Sequence, residues 1–137
     1  MVALIDTNIL IDFLSSREPF SENAKKIIEH CKNKRFSGLI VSQSVVDSFY
    51  ILRKVCPMES LKKYFINLSY IFNFVGTSER TLINALNNAD FSNFEDCVIY
   101  ETAMFNNVDC IVTRNPKDYS SSKIKIYTPE EFLNILD

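Results

Sequence analysis

Four acids, Asp6, Asp47, Asp96 and Asp118, each stand in or just beyond an apolar segment, and carboxylates placed that way could together hold a divalent cation. In "ALIDTNILIDFL" (3–14) an apolar run ends at Asp6, adds Thr7 and Asn8, then resumes with a different rhythm. The plainer reading of Asp6 is a helix cap, since Asp, Thr and Asn accept hydrogen bonds from the free N–H groups of a first turn. The sharper reading is a metal ligand at the mouth of a parallel sheet. Asp47 lies in a stretch, 45–55, in which seven of eleven residues are apolar. A position facing the site and an exposed position beside Arg53 and Lys54 fit its periodicity equally well. "FEDCVIYETAMF" (94–105) sets Glu95 and Asp96 in the first turn of an otherwise apolar helix. First-turn acids complement the helix dipole by ~0.3–1 kcal/mol each, but two adjacent acids with Asp90 nearby exceed what a cap needs. "IVTRNPKDY" (111–119) puts Thr113, Asn115 and Asp118 just past an apolar strand. Carboxylates converging on one pocket would raise one another's pKa unless a cation neutralised them. Oxygen donors without histidine point to Mg²⁺ or Mn²⁺, and such ions make phosphodiester hydrolysis the natural reaction.

Other chemistries lose ground on composition. The single histidine, His30, falls to one side of the helical stripe Ala24, Ile27, Ile28 and Cys31 and reads as solvated, which leaves little room for a serine triad or a zinc site. Cys31, Cys56, Cys97 and Cys110 form no C-x-x-C pair and read as buried free thiols. Gly38 and Gly76, the two glycines of the chain, belong to no phosphate-cradling pattern.

The elements that must position these acids follow from apolar periodicity. Strands are expected at about 2–6, 38–42, 72–76, 110–113 and 124–127, the last at an edge. Helices are expected over 7–14, 21–34 with Ser21 as cap, 43–55, 59–72, 78–89, 94–106 and from Pro129 onward; "RNPKDYSSS" reads as loop. Short apolar strands alternating with helices predict an α/β fold of three layers, α/β/α, around a short, mainly parallel sheet. Ligands of such sheets gather beyond the carboxyl ends of the strands. Asp6 closes a strand and qualifies; Asp109 opens one and reads as a turn residue at the opposite end. Asp12, further along its helix, is expected to face solvent or pair with a cation. With 137 residues, 47% of them hydrophobic and 23% charged, and no linker composition, the chain reads as one domain, 1–137. No basic leader precedes the first apolar run and Asp6 and Asp12 interrupt it, so the cytoplasm is the expected location.

At these residues the chain resembles PIN-domain proteins, Mg²⁺/Mn²⁺-dependent ribonucleases that include the VapC-type toxins of toxin-antitoxin pairs. "LIDTNILIDFL" resembles the family's opening motif, "VSQSVVDSFYILRK" its second-acid helix, and "NFEDCVIYETAMFNNVDCIVTRNPKDY" its third-acid helix with the strand and loop that follow. The resemblance implies that Asp6 and Asp96 are metal ligands, that Asn8, next to Thr7, is a polar partner near the metal, and that Thr113 orients the site. Two departures stand out. The second acid is usually Glu, where this chain has the shorter Asp47, and the fourth often falls where this chain has Asn115, leaving Asp118 or Glu95 to substitute.

The net charge of -2 makes no case for nucleic acid by itself, but two divalent ions would bring it to +2. Arg17, Arg53, Lys54, Arg114 and Lys117 lie in segments expected near the same rim, where they could hold an RNA backbone. Seventeen Phe and Tyr residues, with Ile66 and Tyr70 off the main stripe of their helix, leave open an antitoxin or homodimer contact. The alternative function is a PIN-like module that binds RNA or a protein without cutting. An aspartyl phosphotransferase fits less well, because "IDTN" lacks a second acid two residues after the first.

Overall fold

The computed structural model describes residues 1–137. Five strands, β1 (Val2–Ile5), β2 (Ser37–Val41), β3 (Asn73–Val75), β4 (Cys110–Val112) and β5 (Lys125–Tyr127), form one sheet in the order β3-β2-β1-β4-β5. Every pairing is parallel, with Leu4 opposite Leu39 on one side of β1 and Ile111 on the other. Seven helices surround it: α1 (Thr7–Leu14), α2 (Ser21–Lys32), α3 (Ser42–Leu52), α4 (Met58–Ser69), α5 (Glu79–Asn87), α6 (Phe94–Phe105) and α7 (Pro129–Leu136).

The short strands have no polar face because both of their faces are covered. Successive side chains point to opposite sides of a strand, so each central strand feeds two cores. Ala3 and Ile5, Ile40, and Cys110 and Val112 pack with α1, α2, α4 and α7, including Ile9, Ile27, Phe65 and Phe132. Leu4, Leu39 and Val41, and Ile111 enter a smaller core with Ile99, Tyr100 and Ala103 of α6. The result is the expected α/β/α sandwich. Gly38 is required by close approach: a Cβ there would run into the Phe72 ring and the Cys31 Sγ.

Two short connections carry the functional consequence. Only Asp6 separates β1 from α1, and α3 starts immediately after β2, so both helices open at the carboxyl edge of the sheet. The strand order reverses between β1 and β4, and that crevice is where ligands of open α/β sheets bind. Asp109, at the opposite edge, accepts a hydrogen bond from the Val2 amide at 2.7 Å, as a turn residue would.

Two local expectations need correction. Phe20, not Ser21, occupies the cap of α2, because the Ser21 hydroxyl donates instead to Glu18 Oε1 at 2.6 Å. The segment after Asn115 contains a 3₁₀ turn, Pro116–Tyr119, and Tyr119 is buried from it into the smaller core. A proline at the first position supplies a preset φ and lacks only an N–H that would go unused there.

Candidate functional site

Asp6 does both jobs its sequence context left open. Its Oδ1 accepts from the Thr7 amide at 2.7 Å, capping α1. Its Oδ2 accepts from the buried Thr113 hydroxyl at 2.8 Å, past the end of β4. Asn8 closes the clip: its Nδ2 donates to Thr113 Oγ1 at 3.2 Å and its Oδ1 accepts from the Arg114 amide at 3.3 Å. The Asn115 amide donates to Thr113 Oγ1 at 3.1 Å. The ends of β1 and β4 are thus locked together by side chains, and the Asp6 carboxylate cannot swing away.

Asp6 opens into a cavity of about 760 Å³ that Thr7, Asn8, Arg17, Asp47, Glu95, Asp96, Arg114, Asn115 and Asp118 also line. Asp96 reaches it from the first turn of α6, which Asn93 caps through the Asp96 amide at 3.2 Å. Thr113 lies behind Asp6, while Arg53, Lys54 and Lys117 do not reach the wall. Arg53 turns back instead, donating to the Tyr50 carbonyl at 2.6 Å and lying over the Tyr50 ring. Asp47 lines the cavity from α3 and accepts from Gln43 Nε2 at 2.8 Å. It is not among the charges that perturb Asp6 or Asp96.

The electrostatics single out the Asp6 and Asp96 pair. Burial pushes the Asp6 carboxyl above its ordinary range; the Thr113 hydroxyl and the Thr7 amide pull it back, and the charge of Asp118 adds to the rise. Asp96 is pushed up to about 6, first by burial and then by the charges of Asp6, Asp118 and Glu95. Two carboxyls that resist ionisation through burial, Asp96 further through the charge of Asp6, form a donor set suited to a cation, and every donor is oxygen. No three acidic, histidine or cysteine side chains form a ready-made cage as arranged.

Two residues have partners or surroundings that the sequence did not single out. Asp12 is 1% exposed and takes the Arg114 guanidinium on both oxygens, Nε at 2.7 Å and Nη2 at 3.3 Å, while Arg114 lies over the Phe20 ring. Of the two roles expected for Asp12, solvent exposure is wrong and pairing is right. The turn of helix that carries Asp12 away from the sheet edge brings it under the loop after β4. The other residue is Tyr119, 2% exposed, whose hydroxyl is the one buried side-chain polar atom without a hydrogen-bond partner. A tyrosine within a polar, proline-led segment was the sole sequence hint of it.

A family model described as "PIN domain" matches residues 2–117. No curated protein matches the chain. Among solved structures, a toxin-antitoxin complex from Klebsiella pneumoniae is similar at 25% identity and a TM-score of 0.71, covering 93% of this chain and 97% of that one. VapBC-1 from nontypeable Haemophilus influenzae shares the fold at 16% identity and a TM-score of 0.70, covering 95% and 99%. VapC20 of Mycobacterium tuberculosis, described as a sarcin-ricin-loop-cleaving toxin, shares it at 13% identity and a TM-score of 0.65, covering 80% and 86%.

Proposed function

We propose, from the premise that this chain belongs to the PIN-domain family, that it is a ribonuclease which hydrolyses RNA phosphodiester bonds with Mg²⁺ or Mn²⁺ held by carboxylates. The observation that carries the reading is the Asp6 and Asp96 pair: two acids 90 positions apart in sequence, at the switch point of the sheet, each made harder to ionise by burial, with the charge of Asp6 raising Asp96 further. Asp6 and Asp96 would hold the ion, with waters completing its shell as Mg²⁺ prefers, and Asp118 and Asp47, which line the same cavity, would bond through such waters. When bound, the ion supplies an activated water and a Lewis acid for the phosphoryl oxygen.

The residues of the chain do the remaining work. Thr113, Thr7 and Asn8 fix the Asp6 carboxylate, so little ordering is left to be done when the ion arrives. Glu95 adds negative charge at the mouth of the site. Arg17 and Arg114 are the basic side chains on the cavity wall, and they would take the RNA backbone. Arg114 has two guanidinium nitrogens committed to Asp12, which leaves Nη1 for a phosphate.

A protein partner of antitoxin type, or a second copy of the chain, fits the same reading. Val46, Tyr50, Val55, Met58, Ile66 and Tyr70 remain exposed on and around α3 and α4, and such patches mark contact surfaces. No helix is long and apolar enough to cross a membrane, and the cytoplasm is the compartment this reading requires.

A second reading, a PIN-like module that binds RNA or protein without cutting, draws support from the lack of a three-acid cage. Structured RNA incubated with purified protein, with and without Mn²⁺ or Mg²⁺, separates the two. The nuclease reading expects metal-dependent cleavage that Asp6→Asn or Asp96→Asn reduces to background. Binding without cleavage favours the second reading, and equal cleavage by all three proteins refutes the first.

A further inference from the structure

Buried polar atoms in folded proteins nearly always find a partner, and an exception calls for a cause. The exception here is Tyr119. Its ring meets Phe91 edge-on, 6.2 Å between centroids, lies in the buried cluster that includes Ile111 and Tyr100, and is anchored by the turn that begins at Pro116. Its hydroxyl, with no partner in ordinary hydrogen-bond geometry, nevertheless lies near enough to Asp6 and Asp96 to favour the ionised form of both. A phenylalanine would fill the same volume without leaving a donor unmade, so packing does not account for the oxygen.

We propose that Tyr119 is a positioning residue of the acid site, its buried hydroxyl donating to the Asp6 or Asp96 carboxylate when both are ionised around a cation. This rests on the nuclease reading above. A phenol donating to a charged carboxylate makes one of the stronger hydrogen bonds available, and it would turn the remaining oxygens toward the ion. Partners that orient metal ligands in this way typically contribute 10 to 100-fold in metal affinity or activity.

The test is Tyr119→Phe, read by Mn²⁺ binding through electron paramagnetic resonance and by thermal melting without metal. The proposal expects Mn²⁺ affinity to fall by roughly tenfold or more while the metal-free melting temperature stays level or rises, since an unmade buried donor has been removed. A purely structural hydroxyl would give the reverse, a lower melting temperature with affinity unchanged within about twofold, and that outcome overturns the proposal. If Tyr119→Phe does not fold, the unmodified protein decides. Mg²⁺ added to it should perturb the ultraviolet absorption of a buried tyrosine, and a flat difference spectrum overturns the assignment. Should the unmodified protein bind no Mn²⁺ at all, the nuclease reading falls and this one with it, whereas unchanged affinity in Tyr119→Phe overturns this one alone.

Discussion

Asp96 carries a charge balance that pH can read. Its carboxyl is raised from 3.8 to about 6 by burial and by the neighbouring acids, and Asp6 is raised as well. Between those two values the folded, metal-free chain holds a proton that the unfolded chain has released, so stability falls as pH rises through this window and levels off above it. Asp96→Asn removes the group that titrates. We therefore expect the melting temperature of the unmodified protein, relative to Asp96→Asn, to drop as pH rises from 3.8 toward about 6 without metal. Saturating Mn²⁺ should abolish the drop, because the ion pairs with the charged form. At this scale the sequence was informative about acids and silent about what surrounds them. Asp6 could be singled out because it closes an apolar strand, and Asp96 because it opens an apolar helix. Asp12 could not, because its partner, Arg114, lies 102 residues away and nothing in either segment announces the other.

The loop after β4 is the element on which the site depends most. It holds Arg114, Asn115, Asp118 and Tyr119, and it is tied to α1 by the Asn8 clip and by the Asp12 and Arg114 pair. Removing one member of a buried pair leaves an uncompensated charge, at a cost of about 3–5 kcal/mol, whereas replacing both by apolar groups is often neutral. Arg114→Leu should accordingly lower unfolding free energy in urea by about that amount, and Asp12→Leu combined with Arg114→Leu should recover most of it. The helices and strands themselves were legible to within a few residues, since the apolar period in each matches the core it faces. The 3₁₀ turn at Pro116–Tyr119 was not, because four residues give no period and the buried tyrosine sits among polar neighbours.

For the whole molecule, the balance of charge bears on how RNA would be held. The chain carries -2 overall, and Arg17 and Arg114 are the cations on the cavity wall. Each phosphate neutralised on a single strand contributes about 0.7 to the slope of log affinity against log salt. RNA binding in the presence of Mn²⁺ should then show a shallow slope, about 1 to 1.5, and Arg17→Ala should reduce it by about 0.7 in a filter-binding or polarisation titration. The three-layer architecture was readable from the alternation of short apolar strands with helices, and the switch point followed from strand order, which no sequence pattern discloses.

The pairing of Ala3 with Cys110 sets a timetable for synthesis. During synthesis β1 has only β2 beside it until the residues of β4 have been made, and the loop bearing Asp118 and Tyr119 comes later still. Contacts of such long separation form late. The cavity that Asp6 shares with Asp118 is therefore unfinished on the nascent polypeptide until translation has passed the loop after β4.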